Sequence, residues 1–133
     1  MKRKFLVLIF CMTFFMMVWS LRVEASSDFI SVLPDVPLAP CYIEELDSLV
    51  TFDKPDGRYV EVSTVCQGDG TAGLEALQFY GLALPQLGWR AVQRVNGIES
   101  YVKNKDVLSL ERESHMNFSR VIIVVQPAPE NLG

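Results

Sequence analysis

The sequence predicts an α+β domain, with one amphipathic helix packed on a curved antiparallel sheet of about five or six strands in the order ββαββββ. Three observations lead there. Residues 68–90 hold a stretch of helical periodicity: at about 100° per residue, Leu77, Tyr80, Leu84 and Leu87 share one face while Glu75, Gln78 and Gln86 fall opposite. The segments on either side break into short alternating runs divided by turn residues, as strands of a meander do. Phe118–Gln126, containing SRVIIVVQ, is apolar on both faces, which marks a central strand.

Taken in order, the chain opens with Lys2-Arg3-Lys4, an apolar run from Phe5 to Trp19 broken by Thr13, and then Val23-Glu24-Ala25. A basic region, an apolar region and small residues before a cut are the parts of a secretory signal peptide, so residues 1–25 are expected to be removed after Ala25. The run is shorter than the ~20 residues that span a bilayer, so no membrane span is expected after cleavage. The alternative is an uncleaved anchor in the inner membrane, lengthened through Trp19-Ser20-Leu21.

Residues 26–47 form an extended arm in which Pro34, Pro37 and Pro40 recur every third position, too many for an interior ladder. Val32, Leu33, Val36 and Leu38 are too apolar for a linker, so the arm is expected to lie on the domain; Val36 and Leu38 are also candidates for a partner surface. Glu44, Glu45 and Asp47 read as a solvated turn. The domain proper is expected over 48–126. Leu49–Asp53 and Arg58–Val65 form a hairpin around Lys54-Pro55-Asp56-Gly57, where proline and glycine suit a type I turn.

The helix follows, with Thr71 as candidate N-cap, Gly88 as its left-handed stop and Pro85 tightening the last turn. Strands Trp89–Val95, Ile98–Lys103, Val107–Glu113 and Phe118–Gln126 complete the sheet, the first pair joined by Asn96-Gly97, both tolerant of positive φ. One helix covers one face. The second face of the last strand therefore needs the arm, strong curvature or another protomer. Residues 127–133 are expected to be a loose tail.

The chain carries 12 basic and 16 acidic residues, a net charge of −4. Cleavage removes four of those basic residues (Lys2, Arg3, Lys4, Arg22) and one acidic residue (Glu24), leaving a still more acidic chain. That argues against nucleic acid or an anionic membrane surface as partner, since both need a concentrated basic face. After cleavage Cys41 and Cys66 remain. In an oxidising compartment they form one disulfide, or else two separately buried thiols; sequence alone leaves both open.

Reactive chemistry is sparse, and no residue pattern calls for a metal or cofactor. His115 is the single histidine, and there is no nucleophile elbow, HExxH, phosphate loop or dinucleotide fingerprint. Glu111 and Glu113 share one side of a strand, and reading them as an acid–base pair needs a cleft that sequence cannot supply. Phe79 and Leu82 fall off the buried face of the helix and form an expected apolar shoulder. Leu77, Tyr80 and Trp89 are the candidate lining of a pocket beneath the helix.

The segments DVPLAP, VTFDKPDGRYVEV (Val50–Val62) and FYGLALPQLGWR (Phe79–Arg90) together resemble a family of small uncharacterised secreted proteobacterial proteins carrying an FY…LPQLGW motif. The resemblance spans Leu33–Gln126. It implies a bacterial envelope location, periplasmic or secreted, and assigns no role to any residue. The residues thus favour an exported, non-enzymatic module that binds another envelope protein or a second copy of itself. The alternative is a carrier of a small apolar ligand held between helix and sheet, and a carboxylate-dependent hydrolase stands last.

Overall fold

The computed structural model describes residues 28–129; the expected signal peptide and the end of the tail lie outside them. The strands are β1 (Phe29–Ile30), β2 (Leu33–Pro37), β3 (Ile43–Lys54), β4 (Gly57–Gln67), β5 (Arg90–Val95), β6 (Ile98–Lys103), β7 (Asp106–Ser114) and β8 (Phe118–Pro127), with one helix, α1 (Ala72–Gln86), after β4. β1 pairs with β2, and the other six strands form an antiparallel sheet in the order β3-β4-β8-β7-β6-β5. The α+β class, the one helix among the described residues and the ββαββββ order of the main sheet are as the sequence predicts.

The register explains the core. Val60, Val62, Thr64 and Cys66 of β4 face the same side as Val121, Ile123 and Val125 of β8 and Leu108 and Leu110 of β7, and all are buried. Ala76, Leu77, Tyr80 and Leu84 of α1 close over them, the stripe that the helical period marks out. Each fully buried leucine or valine here is worth roughly 1.5–3 kcal/mol. The hydroxyls of Tyr42 and Tyr80 are enclosed in this core without a well-formed hydrogen bond, beside Ser119 and the Ala39 backbone respectively.

The ends of α1 differ in how closely they follow expectation. Gly88 (φ +91°) stops the helix in a left-handed conformation: its N–H donates to Pro85 O at 3.2 Å and Trp89 N–H donates to Leu84 O at 3.0 Å, the paired bonds of a Schellman motif. At the other end Thr71 makes no side-chain cap. Its hydroxyl and its N–H instead donate to Asp69 Oδ1, so the carboxylate two residues back organises the entry turn and is held below its usual pKa by those bonds.

The arm is shorter and more regular than its prolines suggest. Residues 29–37 fold back as the β1–β2 ribbon, and β3 begins at Ile43 rather than Leu49. Glu44 and Glu45 are therefore strand residues, not a solvated turn. Ser31 N–H and Oγ–H donate to the Glu44 carboxylate, both at 2.7 Å, and the Glu45 carboxylate accepts from Arg120 at 3.0 Å. Ile30, Leu33, Val36, Ala39 and Tyr42 are buried in the same cluster as the helix stripe. Cys41 and Cys66 form a disulfide with Cα atoms 5.4 Å apart, fixing the end of the arm to β4. The tail begins fastened, since Ala128 N–H donates to Lys105 O at 2.7 Å.

Arm and helix thus share one face of the sheet. The opposite face keeps Ile122 and Val124 half-buried beneath its own long side chains: Arg120 pairs with Glu45 and Glu113, and Phe52 stacks on Tyr59 with ring centroids 4.7 Å apart. Of the three ways to cover that face, the arm is not the one used.

Candidate functional site

The residues expected to meet a partner are mostly core. Val36 is fully buried and Leu38 half-buried against the same cluster, because the β1–β2 ribbon folds both inward. Phe79 is also half-buried and packs edge-on to Tyr80, with centroids 5.4 Å apart. Only Leu82 stands out in water, 73 % exposed. The expected pocket beneath the helix is likewise filled. Tyr80 and Trp89 are buried core residues, and Leu77 alone of that trio borders open space.

That space lies beside the helix. On one flank of α1 the arm packs against it, clasped by Trp89, whose Nε1–H donates to Asp35 O at 3.2 Å, and by Lys103, whose ammonium is 2.9 Å from the Asp35 carboxylate. The other flank has no such cover among the described residues. A groove of about 630 Å³ runs there between α1 and the β5–β6 hairpin. Leu77 and Tyr101 are buried at its base, while Leu74, 52 % exposed, hangs over it. Gly81 keeps the helix side low, since a Cβ there would meet only the Tyr101 hydroxyl, at 4.0 Å.

A short polar chain borders the groove. Tyr101 O–H donates to Glu99 Oε2 at 3.3 Å, and the other Glu99 oxygen accepts from Arg94. Burial first, then the Glu99 charge, pushes the Tyr101 phenol up to about 12, so it stays a donor at neutral pH. Arg94 is 61 % exposed, with part of its guanidinium facing water. The arrangement offers an apolar floor and a part-exposed guanidinium at the rim, the Tyr101 proton being already given to Glu99. It offers no nucleophile beside a base.

The carboxylates give no cleft either. Glu111 and Glu113 do share one side of β7, on the sheet face away from the helix. Glu111 is exposed, and Glu113 is held by Arg120 at 3.1 Å with His115 Nε2 at 3.7 Å. His115 itself stacks on Phe118, with centroids 4.3 Å apart. Among the described residues no group of three or more His, Cys, Asp or Glu is placed to hold a metal, and no helix is long and apolar enough to cross a membrane.

Sequence reasoning missed Leu74, Arg94 and Glu99. Leu74 carried a signal, as an apolar residue outside the helix stripe, whereas the Arg94–Glu99 pair depends on cross-strand register that the Asn96-Gly97 turn fixes. Fold and groove together define the class: a helix-and-arm-covered antiparallel sheet with an open side groove, apolar at its base and polar at its rim. No family model, curated protein or solved structure matches the chain.

Proposed function

We propose that this protein is an exported, non-enzymatic interaction module of the bacterial envelope that receives an apolar side chain of a protein partner in the groove between α1 and the β5–β6 hairpin. The observation that carries this reading is Leu74, half in water above an apolar floor that nothing among the described residues covers. Apolar area removed from water returns about 25 cal/mol per Å², and Arg94 and Gln78 at the rim supply direction. An open groove suits a protruding side chain. Pockets for small ligands enclose roughly 70–90 % of their occupant, so the small apolar carrier takes second place.

Export is supported by the basic-apolar-small pattern of residues 1–25 and by the Cys41–Cys66 disulfide, a bond favoured in oxidising compartments. A photo-crosslinking residue in place of Leu74 tests the docking site in cells, with the same residue at exposed Asp56 as control. Protein adducts specific to position 74 are expected; equal adducts at both positions, or none at 74, overturn the reading. N-terminal sequencing of fractionated material is expected to begin at Ser26, and a cytosolic chain retaining residues 1–25 overturns export.

A further inference from the structure

The two cysteines of the bridge sit in unlike surroundings. Cys66, in β4, is 4 % exposed and stands opposite Ser119 of β8, which is fully buried. Cys41 is exposed. It holds the third position of a turn closed by Tyr42 N–H, which donates to Ala39 O at 3.1 Å. Pro40 at the second position and a φ of +66° at Cys41 make the turn type II, whose third place ordinarily takes glycine. The turn carries Cys41 to the surface at the cost of a strained backbone.

The frame around the pair does not depend on the bond. Ala39 and Tyr42, at the two ends of the turn, are buried in the core, and Ile43 pairs with Val65 next to Cys66 in the β3–β4 ladder. These contacts set the Cα atoms 5.4 Å apart, so the sulfurs stay within bridging range when reduced. A thiolate attacks a disulfide sulfur from the side opposite the leaving sulfur. With Cys66 on the core side, the approach to Cys41 is from water, whereas the approach to Cys66 runs through the core. Once released, the Cys66 thiol has an acceptor at hand in the Gln67 carbonyl oxygen, 3.4 Å from its sulfur. A reversible exchange couple needs an accessible entry sulfur, a shielded partner and a fixed spacing; a bridge that only tethers needs no such asymmetry.

We propose that Cys41 and Cys66 form a thiol–disulfide exchange centre that works on a dithiol substrate in the folded protein, with Cys41 meeting the substrate and Cys66 as the resolving thiol. One substrate thiolate attacks Cys41 Sγ: a mixed disulfide forms, the Cys41–Cys66 bond breaks, and Cys66 leaves as a thiolate that takes up a proton. The second substrate thiolate attacks the substrate sulfur of the mixed disulfide, closing the substrate's own disulfide and releasing Cys41. Two electrons pass to the protein, and the two protons given up by the substrate thiols end on Cys66 and Cys41. In reverse, the reduced pair opens a substrate disulfide. The exchange passes one disulfide per chain and gives the module two redox states. Neither cysteine lines the groove beside α1, so this activity stands or falls separately from docking there.

The test is reduction by dithiothreitol, in native buffer, of the oxidised protein purified as cells process the full chain. Free thiols are counted by alkylation and intact mass, with urea added in steps below the unfolding transition. The rate is expected to rise in proportion to dithiothreitol and to change by less than about twofold with urea, because the folded protein is what reacts. The reduced protein is expected to keep its native circular dichroism. A bridge that stays closed until the chain unfolds, a rate that climbs in step with the unfolded population, or loss of the native spectrum on reduction overturns the inference. A brief pulse of oxidised glutathione on reduced wild type, followed by peptide mapping, reads the two roles. The first adducts are expected on Cys41 and then give way to the internal bridge. In Cys66→Ser the Cys41 adduct is expected to persist, and in Cys41→Ser the remaining thiol is expected to react roughly tenfold more slowly or worse. First adducts on Cys66, or equal adducts on both, overturn the assignment, and the wild-type pulse decides this even where a single variant fails to fold.

Discussion

Trp89 and Asp35 join the two halves of the chain: the indole N–H donates to the Asp35 carbonyl oxygen at 3.2 Å, across 54 positions of sequence. Trp89 follows directly on the helix stop and Asp35 sits in β2, so one bond ties the end of α1 to the arm. The Asp35 carboxylate adds Lys103, but both side chains of that pair are more than a quarter exposed, 28 % and 39 %, which limits its value to about 0–1 kcal/mol. Trp89→Phe is therefore expected to cost more than Lys103→Ala. Losing the indole donor leaves a part-buried carbonyl short of a partner, for ~1–3 kcal/mol. Urea midpoints of the two variants check the order, and equal losses would place the clasp's strength in the ion pair instead.

The Cys41–Cys66 bridge closes 25 positions of chain. Tethering a loop of that size removes unfolded-state entropy worth ~3 kcal/mol. The double variant Cys41→Ala/Cys66→Ala is expected to lose about that much and still fold, because Ile30, Leu33, Val36 and Tyr42 hold the arm by burial. Equilibrium unfolding of oxidised protein against the variant measures it. Intact mass under non-reducing conditions should show the two hydrogens missing.

Two glycines of α1 predict opposite outcomes. At Gly73 a Cβ would fall 2.5 Å from Ser119 Oγ and 2.7 Å from Arg112 Cδ, so the first turn of the helix presses on β7 and β8. Gly73→Ala must displace both and is expected to destabilise by ~1–3 kcal/mol. At Gly81 the nearest atom is 4.0 Å away, and alanine there gains helix propensity, ~0.5–1 kcal/mol. Thermal midpoints moving in opposite directions are the expected result.

The helix could be read from its period, its glycine stop and its flanking turns because these are local signals. Leu77, Tyr80 and Leu84 are where the wheel puts them, and Asn96-Gly97 turns with φ of +52° and +83° at its two residues. The arm packs on the domain as its apolar residues predict, but the pairing of β1 with β2 is not legible, because proline spacing reports what a segment cannot donate, not what lies beside it. Val36 looked available for the same reason: burial of a short apolar residue depends on which sheet face the ribbon folds toward. The groove was illegible. It exists because the arm covers one flank of α1 and not the other, a fact of tertiary placement that leaves no trace in either sequence segment.

Tyr42 and Tyr80 are 3 % and 0 % exposed, and neither hydroxyl makes a well-formed hydrogen bond, although Ser119 and the Ala39 backbone respectively lie beside them. Deleting the Tyr80 hydroxyl removes a desolvated group and only a weak contact with the Ala39 backbone. Tyr80→Phe is expected to leave stability unchanged or raise it by about 1 kcal/mol, while Tyr80→Ala costs ~3–5 kcal/mol for the lost ring. Chemical denaturation separates them. A phenylalanine variant much weaker than wild type would show that the hydroxyl is satisfied in solution.

Tyr101 supplies a test at alkaline pH. Its phenol is pushed up to about 12 by burial and by Glu99, against an ordinary value of 10.0. The unfolded chain therefore releases this proton more easily than the folded one. The linked stability is fully present below pH 10 and is lost as the pH rises through the folded value near 12. In Tyr101→Phe that decline should shrink, and Glu99→Gln should lower the phenol's pKa toward normal while keeping its ring in the groove. Tyrosinate absorbance followed against pH in wild type and both variants reads this directly. A Tyr101 that ionises at the ordinary tyrosine value of 10.0 would mean that water reaches the floor of the groove and that Leu74 does not shield it.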